Sequence, residues 1–242
     1  MQEGGYKLAR ALDQVMAAIK PGVATIELDQ LAEKLVLAAG GQPSFKTVRN
    51  YKWTTCINVD SGVVHGIPGK YQIHPGDVVS VDVGILYKGF HTDMAKSVVV
   101  PGSTNREQEN LNLFFLQVGK ETLKKAIAAA KPGNRVGHIS QIIERELTRA
   151  NFSPIKALTG HGVGKTLHED PLIPGYLRGR LENTPILKEG MILAIEIIYS
   201  QGGPDVVIAP DGWTIESADG KITGLFEDTI AVRKGGPLVL TA

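Results

Sequence analysis

The segment KPGVATIELDQLAEKLVLAAG, beginning at Lys20, returns in altered form as KPGNRVGHISQIIERELTRAN from Lys131. The match pairs Pro21 with Pro132, Leu28 with Ile139, Gln30 with Gln141 and Glu33 with Glu144. A chain carrying one pattern twice is constrained to build two similar halves and to bury their apolar faces together. The repeat runs on into β-branched sequence: Gly76-Asp77-Val78-Val79-Ser80-Val81-Asp82 aligns with Gly190-Met191-Ile192-Leu193-Ala194-Ile195-Glu196, and an acid closes both. His65-Gly66-Ile67 likewise resembles His161-Gly162-Val163. Packed face to face, such halves are expected to bring both His-Gly turns and both strand acids to one central seam.

Each half reads as helices followed by strands. Leu8, Leu12, Val15 and Ile19 recur at helical spacing, and a second amphipathic stretch runs from Leu28 to Ala39, where Gly40-Gly41 stops it. Ahead of the second copy a long helix is expected, opened by Thr104 and Glu107 as a capping box and presenting Leu111, Phe115 and Val118 on one face. No Pro-, Ser- or charge-rich linker divides the chain. This predicts one domain over residues 1–242, with pseudo-repeat halves of about 1–102 and 103–242.

Composition narrows the partners. With 26 Lys+Arg against 25 Asp+Glu, the net charge of +1 provides no field to hold nucleic acid or an anionic membrane. One cysteine, Cys56, excludes an intramolecular disulfide and any Cys-rich zinc site. The N-terminal stretch has no apolar run long enough for a signal core or a membrane span, so a cytoplasmic location is expected.

The chemistry is carried by acids in the wrong place. Asp82 sits inside the apolar run Val78 to Leu86, and Glu196 inside MILAIEIIYS; Glu227, in LFEDTIAV, repeats the pattern more weakly. A carboxylate among Val and Ile must be paired, protonated or bound to metal. A two-residue turn at Lys88-Gly89 would pair Tyr87 with Phe90, set Asp82 opposite Ala95, and make Asp93 the diagonal same-face neighbour of Asp82, with Cβ atoms roughly 7 Å apart or less. None of these segments carries a central Lys or Arg, so divalent metal is the economical partner. Oxygen ligands with a single histidine favour ions such as Mn, Fe or Co, and five ligands suit two ions. His161 and His65 lie beside glycines that allow close backbone approach, and His168 follows seven residues after His161. His74 and His138 read as solvated, whereas His91 shares a face with Asp93 and is a candidate to support it.

The motifs VVHGIP, VDVG with HTDMAKS, GHGVGKTLHEDP, GMILAIE and LFEDTIAV, in this order, closely resemble the methionine aminopeptidases of the compact bacterial type, across essentially the whole chain. The resemblance implies the α/β pita-bread fold, in which two pseudo-symmetric halves curve an antiparallel sheet that helices cover on its outer face. It implies Asp82, Asp93, His161, Glu196 and Glu227 as ligands of two divalent ions (Co, Mn, Fe or Zn), with Asp93 and Glu227 bridging. Glu196, His65 and His168 become the catalytic groups, and His65 and His168 also face the substrate, together with Tyr51, Cys56 and Trp213 around the methionine side chain. The implied activity is removal of N-terminal methionine from peptides and nascent chains before a small second residue, by a ribosome-associated monomer.

The sequence departs from the family pattern at Ile197, where proline is usual, at Leu167, usually aromatic, and at Val64, commonly cysteine. The first of these leaves the ligand intact and bears on the local strand and the pocket wall. Two rivals share the fold: a peptidase that cleaves before proline, which generally carries an additional N-terminal domain, and a non-catalytic binding protein, which typically loses ligands. A phosphate loop at GHGVGKT is excluded because Thr159 stands where glycine is needed and Pro171 and Pro174 forbid the following helix. No G-x-S-x-G elbow occurs to support a serine hydrolase.

Overall fold

The computed structural model describes all 242 residues. Helices α1 (Gln2–Ala18) and α2 (Thr25–Ala38) come first, followed by β1 (Gln42–Pro43), β2 (Thr55–Val59), β3 (Gly62–Val64), β4 (Val78–Tyr87) and β5 (Phe90–Val99). The order then repeats: α3 (Arg106–Ala128) and α4 (Val136–Arg149) precede β6 (Ser153–Pro154), β7 (Thr159–Gly162), β8 (Glu169–Pro174) and β9 (Ile192–Ser200). After these come β10 (Val206–Ile208), β11 (Ile215–Ser217), β12 (Thr223–Ala231) and β13 (Leu238–Val239). The repeat is visible in detail. Helices α2 and α4 are both 14 residues long, and the glycines that follow the matched prolines, Gly22 and Gly133, share the same left-handed φ of 89°. That conformation comes without steric cost only to glycine. No helix is long and apolar enough to cross a membrane.

One sheet runs through both halves in the order β1-β4-β5-β12-β9-β7-β8, with every pair antiparallel, and β2 and β6 attach to β4 and β9. A smaller sheet orders β10-β11-β3. Alternation along the strands decides what each face holds. Val79, Val81, Val83 and Ile85 of β4 join the core beneath α1 and α2; Leu193, Ile195, Ile197 and Tyr199 of β9 join the core beneath α3 and α4. Each such side chain removed from water stabilises by about 1.5–3 kcal/mol. Tyr199 shows the fit: its ring stacks on Phe115 at 4.2 Å, and its hydroxyl donates to the Phe115 carbonyl at 2.7 Å. With both outer faces under helices, the residues between them, Asp82 on β4 and Glu196 on β9, look the other way.

Two local expectations are corrected. Helix α3 begins one residue later than the capping box requires: Asn105 is the N-cap, its side chain accepting from the Gln108 amide at 3.1 Å, and Asn is as good a cap as Thr. Its buried face carries Phe115, Leu116, Leu123 and Ile127, while Leu111 is 45% exposed, because the helix meets the sheet one position round from the Leu111 stripe. His138 is half-buried rather than solvated, its Nδ1 accepting from the Arg135 amide at the start of α4 at 2.9 Å.

Candidate metal centre and substrate cavity

The β4–β5 hairpin has the register read from the sequence. Lys88 and Gly89 both take positive φ, 51° and 80°, as a tight hairpin turn of matching twist requires. Tyr87 then faces Phe90, Asp82 faces Ala95, and Asp93 faces Gly84. Ala95 in turn faces Glu227 across β12, and Glu227 faces Glu196 on β9. A single row perpendicular to the strands therefore reads Asp82, Ala95, Glu227, Glu196, with Asp93 on the same side two residues along β5. His161 on the next strand, β7, pairs with Ala194. Five adjacent strands, β4-β5-β12-β9-β7, thus contribute one acid or imidazole each to the same face.

Burial grades across the row. Asp93, Glu227 and His161 are buried, at 4%, 3% and 5% exposure, whereas Asp82 and Glu196 open partly to a cavity. One ligand atom each of Asp93, His161 and Glu227 lies within 4.8 Å of the others. Asp82 Oδ1, Asp93 Oδ1 and Glu227 Oε1 are buried without any hydrogen-bond partner. No Lys or Arg pairs with these acids; the nearest base is His161, whose Nε2 stands 3.5 Å from Glu196 Oε1. Burial pulls the His161 pKa down to about 4, so it brings no charge at neutral pH. Its Nδ1 donates to the Gly162 carbonyl at 2.8 Å, which leaves the Nε2 lone pair free. Burial first, and the neighbouring acids second, push Asp82 and Glu227 well above the carboxylate range; burial and Asp93 do the same to Glu196, and burial raises Asp93 to about 7. Unpartnered buried oxygens around a neutral imidazole nitrogen fit divalent cations, which would supply the missing positive charge.

Beside the acids lies a cavity of about 160 Å³, lined by Phe45, Val48, Tyr51, Cys56, Leu167 and Trp213 on its apolar side and by His65 and His168 along with Asp82, Asp93, His161, Glu196 and Glu227. Cys56 faces Asp82 directly across β2 and β4, which joins the apolar floor to the acid row. The Tyr51 hydroxyl donates to the Thr55 carbonyl at 2.8 Å, and its ring meets Trp213 edge-on at 5.1 Å. Tyr51, Cys56 and Trp213 therefore do meet in one wall. Phe45 opens the short turn Phe45–Thr47 and Val48 follows it; the spacing Phe45, Val48, Tyr51 is the only sequence signal for either.

His65 and His168 are both exposed in the mouth of the cavity, and desolvation by its walls holds both below the ordinary histidine pKa. The His168 ring stands edge-on to His161 at 4.5 Å. His168 follows a turn in which Glu169 accepts from the Thr166 amide at 2.9 Å and the Thr166 hydroxyl donates to the His168 carbonyl at 3.1 Å. His91 is buried and hydrogen-bonds Ser44 through Nδ1 at 2.9 Å, and its amide donates to the Gly164 carbonyl at 2.8 Å, so it pins the loop that carries His168. Prolines 171 and 174 lie in strand β8, as the case against a phosphate loop requires.

Two further readings change. Ile197 does not touch the cavity: it is fully buried on the helix side of β9, because its neighbour Glu196 takes the inner face. The two His-Gly pairs are not equivalent in the fold. With Asp82 matched to Glu196, Ser80 matches Ala194; the residue paired with Ser80 is Asn58, while the residue paired with Ala194 is His161. His65 reaches the same cavity from a separate turn after β3.

Residues 1–234 match metallopeptidase family M24. Among curated relatives, the chain is 37% identical to a methionine aminopeptidase of Clostridium perfringens and 39% identical to methionine aminopeptidase 1 of Bacillus subtilis, in each case over 100% of this chain and 94% of the relative. The crystal structure of a methionine aminopeptidase from Thermotoga maritima superposes with a TM-score of 0.92 at 38% identity, over 100% of this chain and 94% of that one. A prolidase from Pyrococcus furiosus superposes with a TM-score of 0.77 at 25% identity, but this chain spans 62% of it.

Proposed function

The chain belongs to metallopeptidase family M24, and from that membership we propose that it removes N-terminal methionine from peptides and nascent chains by metal-dependent hydrolysis. The observation that carries the reading is the convergence of five side chains from five adjacent strands beside an apolar cavity large enough for one unbranched side chain. Asp82, Asp93, His161, Glu196 and Glu227 would hold two divalent ions, Asp93 and Glu227 being the most buried acids of the set. Manganese, iron, cobalt or zinc suits this donor set. When bound, such ions act as Lewis acids and bring the pKa of water toward about 7.

The remaining steps belong to the protein. Glu196, open to the cavity, takes a proton from the attacking water and returns it to the departing amine. His168, neutral at pH 7, donates a hydrogen bond to the developing oxyanion, and His65 orients or protonates the scissile nitrogen. Tyr51, Cys56 and Trp213 surround the methionine thioether, for which a mixed aromatic and sulfur wall is favourable.

A Met-Ala-Ser peptide assayed beside an Ala-Pro peptide tests the assignment. Methionine should be released from the first alone, chelation should abolish the release, and added Mn or Co should restore it. Release that survives thorough metal removal would refute the chemistry, and preference for the Ala-Pro peptide would transfer the chain to the proline-directed rival.

A further inference from the structure

His65 is not held by ordinary strand geometry. Its φ is 59°, in the left-handed region that a branched or ring-bearing residue enters at a cost, and such strain persists only where the surroundings over-determine it. What fixes it is the next residue. The Gly66 amide donates to Asn58 Oδ1 at 2.9 Å, and the Ile57 amide donates to the Gly66 carbonyl at 2.9 Å, so both polar groups of Gly66 are tied to β2. A Cβ on Gly66 would collide with the Ile57 carbonyl oxygen, which is why glycine stands there. Because Oδ1 must accept from Gly66, the orientation of the Asn58 amide is set. Its Nδ2 then lies buried with no partner in the protein, a second local cost at the same junction.

The register adds an independent observation. Asn58 occupies in the first half the position that His161 occupies in the second, on the inner face of the strand beside the acid-bearing hairpin. One copy uses that position for a ring nitrogen beside the acids; the other uses it for an amide that grips a turn.

We propose that Asn58 is a positioning residue for His65: its side-chain oxygen holds the Gly66 amide and so locks His65 in the left-handed conformation that places the imidazole at the cavity mouth. The proposal rests on His65 acting on the substrate as described above.

The test is a double-mutant cycle in the metal-replete enzyme. Asn58→Leu, isosteric but without an acceptor, should lower kcat/KM about ten- to a hundredfold, the scale expected when a reacting group is misplaced. In a His65→Ala background the same substitution should cost almost nothing more. Asn58→Asp, which keeps the acceptor oxygen, should rescue most of what Asn58→Leu loses. Hydrogen exchange on the unsubstituted protein should find the Gly66 amide strongly protected, and this readout stands even if a variant fails to fold. If His65→Ala is itself without effect, the catalytic reading of His65 falls, and this proposal with it. If His65→Ala is impaired but the two losses multiply, or if Gly66 exchanges like an open loop amide, the positioning role alone is overturned.

Discussion

Glu196 and Glu227 stand directly opposite one another on β9 and β12, on the same face of the sheet. Like charges there oppose sheet formation unless something positive lies between them. A divalent ion should therefore stabilise the fold as well as enable the reaction. At a free concentration about a hundredfold above Kd, the gain is about 2.7 kcal/mol. For a chain of this size that is a rise in Tm of about 5–10 °C. Thermal denaturation with and without Mn, after chelation, checks it. Glu227→Gln should raise the metal-free Tm while abolishing the response; a metal-free protein unaffected by Mn would remove the ion from the site.

His168 should matter to rate and not to metal. His168→Ala is expected to retain full metal content by elemental analysis and to lose about a hundred- to a thousandfold in kcat, as removal of an oxyanion donor does. Normal turnover would exclude it from the reaction.

Ile197 offers the opposite separation. It is fully buried on the helix side of β9, so Ile197→Ala should cost about 2–5 kcal/mol in chemical denaturation and leave kcat/KM for a Met-Ala peptide within about twofold of the parent. A changed preference for the second substrate residue would show that its side chain does reach the cavity.

Asp29 is buried beneath β2, where Oδ1 accepts from the Thr54 and Thr55 amides and from the Thr55 hydroxyl, at 2.9, 2.9 and 2.8 Å. Asp29→Ala leaves two buried amides unpaired and should cost about 3 kcal/mol or more. Burial nevertheless holds the Asp29 pKa above the ordinary carboxylate value. The unfolded chain therefore releases this proton first as pH rises, and stability falls from the ordinary carboxylate range up to the folded pKa, then levels. Asp29→Asn keeps the acceptor without the charge, so urea titrations at pH 4 and pH 7 should differ less for this variant than for the parent.

Much of this was legible in the residues because the acids break the apolar alternation where alternation is strongest. Asp82 among valines, and Glu196 in MILAIEIIYS, announce themselves as inner-face charges, and Lys88-Gly89 fixes the register that sets Asp93 diagonal to Asp82. What could not be read has no period. Phe45 and Val48 reach the cavity from a single 3₁₀ turn, and the facing of Ile197 depends on which side of β9 the helices cover. The sequence likeness of the two His-Gly pairs misled about their equivalence, since strand pairing, which no local motif encodes, matches His161 to Asn58.

The seam between β5 and β12 separates Asp82 and Asp93 from His161, Glu196 and Glu227. On the proposed assignment, neither copy owns a complete coordination set. Glu227 is the last of the five to be synthesised, so a growing chain would complete the proposed set only when the final long strand has docked. Ion content in a preparation is thus a census of finished molecules, and a truncated or half-folded chain should purify empty.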